Sequence, residues 1–213
     1  MEGGKFLVYV AGPLFNVKEQ QEMQELAECF EKAGFETFLP QRDGLELINV
    51  RAALIEKGIA PKVASDVVSR AIFALDVYQV VERCDVAIVN LNGRVPDEGA
   101  VSEAAMAFRS GKIVSGYKAD ARSVLVGEDN PLVVGLFDFK VANTYEELVQ
   151  NVEHALSERP DREKEVVNTN ERLDACLMLG RQIFETTKSA EKMERITALL
   201  CEEAASFTSA GGS

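Results

Sequence analysis

Asp97-Glu98-Gly99-Ala100-Val101-Ser102-Glu103-Ala104-Ala105-Met106-Ala107 follows closely on a short apolar run, Asp85-Val86-Ala87-Ile88-Val89-Asn90-Leu91. The run is opened by a charge and closed by Asn92-Gly93, the pattern of a parallel strand buried on both faces. Asp97 is a natural N-cap, and the Ala- and Met-rich spacing after it predicts a helix up to Gly111. Glu103 then falls in the second turn. A buried strand followed by a helix with carboxylates in its first turns is where open α/β folds place ligands, outside the carboxyl ends of the strands. The helix dipole favours an ionised carboxylate there, though it weakens past the first turn. An ionised carboxylate held at the anomeric carbon of a sugar is a nucleophile. Spacing alone leaves a second reading open, in which Asp97 only caps and Glu103 only solvates the helix.

The N-terminal run Phe6-Leu7-Val8-Tyr9-Val10 reads as another apolar strand, ending in Ala11-Gly12-Pro13-Leu14-Phe15-Asn16 before an amphipathic helix from about Val17 to Lys32. Gly12 permits close backbone approach to a ligand, and Pro13 stiffens the turn. By itself Ala-Gly-Pro is equally a tight turn. Together the two stretches resemble the nucleoside 2-deoxyribosyltransferase family, which carries Tyr-x-Ala-Gly-Pro-x-Phe at its first strand and Asp-x-Gly-(x)3-Glu before small residues and Gly-Lys. Here these are Tyr9 to Phe15, Asp97 to Glu103, and Gly111-Lys112. The resemblance runs from about Lys5 to His154, is poor between Gln41 and Ala64, and does not extend to the last quarter of the chain.

This resemblance implies a set of roles. Glu103 matches the nucleophile that attacks C1′ of a 2′-deoxynucleoside, forming a deoxyribosyl ester that a second base then attacks. Two inversions at one carbon give retention, as in retaining glycosidases. Tyr9 matches the tyrosine that orients this nucleophile, and Asp97 the carboxylate that binds the sugar hydroxyls. Gly12, Pro13, Phe15 and Gly99 are the accompanying substrate-binding positions. Asp76, in the mostly apolar stretch Ile72 to Val81, matches the acid that contacts the base. An aspartate in apolar surroundings holds a proton more readily and could pass it to the departing base. Asn130 matches an asparagine that the family lends to the adjoining subunit for the 5′-hydroxyl, although Pro131 departs from the commoner pattern after it. Read as residues alone, Tyr9 is equally a core tyrosine, Asp76 a surface or capping aspartate, and Asn130-Pro131 an ordinary turn.

The function expected is therefore transfer of a 2-deoxyribosyl group between nucleobases, with slow hydrolysis to free base. A nucleoside or deoxynucleotide N-glycosidase using the same Glu103 is the alternative, and a non-catalytic nucleoside-binding module a further one. The turn from Ala11 to Phe15 carries no cation, which favours an unphosphorylated 5′ end, although Arg122 offers a charge elsewhere.

Composition agrees with small neutral substrates. Asp and Glu number 35 against 23 Lys and Arg, and the net charge of −12 repels nucleic-acid phosphates. The single histidine, His154, offers no triad. Four cysteines (Cys29, Cys84, Cys176, Cys201) lack paired spacing, so neither a metal site nor a disulfide framework is expected, and no cofactor is implied. Reduced thiols and a start without a hydrophobic leader point to the cytoplasm, and no apolar run approaches the ~20 residues that span a bilayer.

The fold expected is a flavodoxin-like, Rossmann-like α/β domain over residues 1–157, with helices on both faces of a parallel five-stranded sheet. Its strands are placed at Lys5 to Ala11, Glu36 to Phe38, Asp85 to Leu91, Lys112 to Tyr117 and about Phe137 to Val141. Gly44 to Ile59 has helical spacing and could cover the sugar. A helical extension is expected over residues 158–213, with two amphipathic helices joined near Thr187 to Ser189 and a disordered tail from Ser206. Its apolar stripe requires burial, on the sheet domain or on a partner subunit in a homo-oligomer with shared active sites.

Overall fold

Five consecutive buried residues make up each of the two central strands, β1 (Leu7–Ala11) and β3 (Val86–Asn90), which is why their sequences read as continuous apolar runs. The structure is a computed structural model, described over residues 5–45, 47–122, 129–158 and 170–210. Between β1 and β3 the chain runs through α1 (Val17–Lys32), β2 (Glu36–Phe38), α2 (Pro40–Asp43), α3 (Leu47–Glu56) and α4 (Pro61–Tyr78). After β3 come α5 (Glu98–Arg109), β4 (Ile113–Tyr117), α6 (Pro131–Val134), β5 (Val141–Ala142) and α7 (Tyr145–Glu158). The last two helices are α8 (Glu171–Thr187) and α9 (Lys192–Ala210).

The chain forms two compact units, Met1–Asp43 with Gln79–Asn168, and Gly44–Tyr78 with Thr169–Ser213. The first holds an all-parallel sheet of order β2-β1-β3-β4-β5. This is the expected flavodoxin-like α/β architecture, with its topological switch between β1 and β3. On one face Val8, Val10, Val86 and Ile88 form a core with Met23, Leu26 and Phe30 of α1 and Leu148 and Val152 of α7. The alternate residues of the strands face the other way. There α5 buries Ala100, Ala104 and Ala107, small side chains that let a helix lie close to the sheet.

Local chemistry sets the element ends. Asn16 caps α1 by accepting from the Glu19 amide at 3.0 Å, while the Glu19 carboxylate accepts from the Phe15 amide at 2.9 Å. The fifth strand lies later than the sequence suggests. Gly135–Phe137 is a 3-10 turn, and Asp138 and Phe139 take left-handed φ angles of 53° and 59°, which reverse the chain before Val141.

The second unit is built from α3, α4, α8 and α9. It differs from the single boundary expected near residue 158, because the segment 44–78 groups with the C-terminal helices and not with the sheet. The reason lies in the apolar faces. Val67, Val68, Ala71, Ala74 and Leu75 of α4, Leu177 and Ile183 of α8, and Ile196 and Leu200 of α9 are all buried. Helix α9 continues to Ala210, past Ser206, where a disordered tail is expected from the sequence. Residues 159–169, where the helical extension is expected to begin, lie outside the described residues. Among the described residues, no helix is long and apolar enough to cross a membrane.

Helices α4 and α8 pack through Gly180. A Cβ there would lie 2.0 Å from the Ala74 carbonyl oxygen and 2.6 Å from the Tyr78 Cβ, so the backbones themselves would have to separate. Gly180→Ala is therefore expected to destabilise the helical unit by about 2–3 kcal/mol, measured by urea unfolding.

Candidate active site

Tyr9 sits in the middle of β1 with its side chain on the α5 face of the sheet. Its ring is fully buried and stacks on Phe38, centroids 5.6 Å apart at an interplanar angle of 19°. From this fixed ring the hydroxyl donates to Glu103 Oε1 at 2.6 Å. That length is typical of an O–H donor to a carboxylate, the stronger class of hydrogen bond. Glu103 is half-buried, and the bond joins residues 94 positions apart. A carboxylate held this way has a defined rotamer and a stabilised charge, both of which a nucleophile at carbon needs.

Helix α5 supplies the other motif residues. Asp97 is its N-cap, Oδ2 accepting from the Ala100 amide at 2.7 Å. A side chain at Gly99 would begin 3.0 Å from that oxygen, so glycine keeps the cap carboxylate uncrowded. At the end of β1 the structure gives Gly12 a packing role. A Cβ there would fall 2.9 Å from Asn90 Cβ and 2.4 Å from Met23 Sδ, so the close approach is to β3 and α1. Pro13 is buried behind it, and Phe15 is 78% exposed. Asn130 is exposed at the start of α6, where its side-chain Oδ1 accepts from the Leu132 amide at 3.0 Å. Asp76 lies half-buried on α4, in the helical unit. The structure thus joins Tyr9 to Glu103 and sets Asp97 and Gly99 on the same helix as Glu103.

Sequence reasoning passed over a polar network at the carboxyl ends of β3 and β4. Asn92 Oδ1 accepts from the amides of Ala119 at 2.9 Å and Asp120 at 3.0 Å, and its Nδ2 donates to Glu22 of α1. Asp120 accepts in return from the Gly93 amide at 3.2 Å and binds the Arg122 guanidinium, Nε lying 2.9 Å from both oxygens. Arg122 holds the Asp120 carboxyl well below the usual carboxylate range. The φ of +114° at Gly93 suits glycine in the turn that makes this possible. These groups line an open cleft of about 380 Å³ together with Pro13 and Asn16. In the sequence, Asn92-Gly93 signals only a strand end. Nearby, Lys118 and Asp129 form an ion pair with the lysine side chain 7% exposed, bracketing the connection that leads to Asn130.

The model of the family described as nucleoside 2-deoxyribosyltransferase matches residues 8–170. The chain belongs to that family. Membership gives nucleosides and nucleobases as its substrate class and deoxyribosyltransferase-type chemistry as its activity. No curated protein matches the sequence. Among solved structures, a conserved protein from Enterococcus faecalis V583 shares the fold at TM-score 0.50 and 18% identity, over 72% of this chain and all 100% of its own. A 2-desoxiribosyltransferase from Leishmania mexicana aligns at TM-score 0.44 and 18% identity, over 70% of this chain and 98% of its own.

The Tyr9 hydroxyl is one charge-assisted donor, and Phe keeps the ring stack. Tyr9→Phe is accordingly expected to cost about 2 kcal/mol of stability in chemical denaturation while leaving the circular dichroism spectrum unchanged.

Proposed function

We propose that this deoxyribosyltransferase-family protein moves a 2-deoxyribosyl group between nucleobases through an ester on Glu103. The single observation that supports the reading best is the 2.6 Å hydrogen bond from Tyr9 to Glu103, which gives the carboxylate one orientation. In the first half-reaction a Glu103 oxygen bonds to C1′ as the C1′–N bond breaks, and the electron pair leaves with the base. Asp76 supplies the proton the base needs. In the second half-reaction a nitrogen of the incoming base attacks C1′, displaces the carboxylate and returns its proton to Asp76. Each step inverts C1′, so the product keeps the starting configuration. Water in place of the second base gives slow hydrolysis.

Asp97 binds the sugar hydroxyls, with Gly12, Pro13, Phe15 and Gly99 shaping the surroundings. Asn130 serves the 5′-hydroxyl of the adjoining subunit's substrate in a cytoplasmic homo-oligomer. These assignments carry the family pattern onto matching positions of this chain. No cofactor enters the scheme, because the ester conserves the glycosidic bond energy between the two bases.

The test is incubation with deoxyinosine and free adenine, followed by chromatography. New deoxyadenosine supports transfer, whereas base release without exchange makes the protein an N-glycosidase. Glu103→Ala is expected to lower both exchange and hydrolysis by about three orders of magnitude or more while the protein remains folded. A mass gain of one deoxyribosyl group on a Glu103 peptide, seen with deoxyinosine alone, identifies the ester. Retained turnover in Glu103→Ala removes the nucleophile assignment. Asp76→Asn is expected to reduce kcat more than it raises KM, read from initial rates; a change in KM alone would make Asp76 a binding residue.

A further inference from the structure

We propose that Asn92 is a positioning residue of the substrate cleft, fixing the connections that follow β3 and β4 and so acting on nucleoside binding and not on bond breaking at C1′. The inference rests on the transferase reading above, and it adds a residue outside the two motifs.

The Asn92 carboxamide satisfies partners on two sides at once. Its Oδ1 takes two backbone amides of the β4–α6 connection, Ala119 and Asp120, and its Nδ2 donates to Glu22 of α1. The orientation is set by this network, since a reversed carboxamide would point its NH2 at two N–H donors and its oxygen at a carboxylate. The Asn92 amide donates to Asn90 Oδ1 at 2.9 Å, and the Gly93 amide to Asp120 Oδ2 at 3.2 Å. Asn90 is itself fully buried.

Two consequences follow. The stretch that leaves β3 toward Asp97 starts from a locked base, with the amides of Asn92 and Gly93 and the Asn92 side chain all engaged. Glu22 and the Ala119–Asp120 backbone, all lining the cleft, are tied through this single side chain. The cleft opens at the carboxyl ends of the strands, where α/β folds of this strand order receive ligands. The Tyr9–Glu103 bond, by contrast, is made on the α5 face of the sheet and uses none of these groups. Disturbing Asn92 therefore displaces walls that receive substrate while the nucleophile keeps its donor.

The experiment uses the full chain and deoxyinosine-to-adenine exchange. Asn92→Asp keeps the acceptor for Ala119 and Asp120, loses the donor to Glu22, and sets two carboxylates against each other. Glu22→Gln added to it supplies a new donor. Asn92→Asp is expected to raise the nucleoside KM about tenfold with kcat within about twofold, and the double variant to recover most of that KM. Amide exchange at Ala119 and Asp120 is expected to speed up in the single variant and to slow again in the double. Glu22→Ala, at a half-exposed helix position, is expected to raise KM about threefold and serves if Asn92→Asp does not fold. An unchanged KM, a fall in kcat matching the rise in KM, or a double variant no better than Asn92→Asp overturns the proposal. Wild-type protein without exchange overturns the transferase reading and the proposal with it, whereas wild-type exchange with a neutral Asn92→Asp overturns the proposal alone.

Discussion

The hydrogen bond from Tyr9 to Glu103 needs a strand near the chain's start and a helix nearly a hundred residues later to stay in register. That constraint is met by β1 and β3, which pair in parallel with Tyr9 opposite Ala87. Ala87 leaves room beside the tyrosine ring, and α5 reaches the sheet through Ala100, Ala104 and Ala107. A larger residue at these helix positions would lift α5 and lengthen the bond. The site therefore depends on small side chains at the helix–sheet contact as much as on its two polar residues.

The two faces of the sheet divide their tasks. One carries the α1 and α7 core, in which Phe30, Met23, Leu26 and Leu148 are fully buried. The other presents Tyr9 to α5. At the carboxyl ends of the strands, where backbone amides run out of ladder partners, side chains complete the bonding. Asn16 caps α1, Asp97 caps α5, and Asn92 takes the amides of Ala119 and Asp120 beyond β4. Polar residues at strand and helix ends thus satisfy the backbone and shape the cleft together.

The acidic balance is also distributed with purpose around the cleft. Arg122 is bound by Asp120, and Lys18 shares the cleft lining with Glu19 and Glu22. Such a lining suits uncharged sugars and bases, whose recognition relies on hydrogen bonds.

Much of this was legible in the amino-acid order. The buried runs 85–91 and 6–10, the helix from Val17 to Lys32, the Asp97 cap and the pairing of two motifs are local patterns, because strand burial, helix period and capping depend on neighbours within a few residues. Helix position brought out Glu103, and the resemblance of the two motifs to the family gave Glu103 and Tyr9 their roles. Tertiary structure decided what distance along the chain hides: that Tyr9 donates to Glu103, that Asn92 joins Glu22 to Ala119, and that 44–78 groups with the C-terminal helices. It also decided that the last strand starts at Val141, beyond a left-handed turn at Asp138 and Phe139 that no periodicity announces. Contacts of this kind are settled by which apolar faces and unpaired amides meet once the sheet has formed, and a one-dimensional pattern carries no record of those meetings.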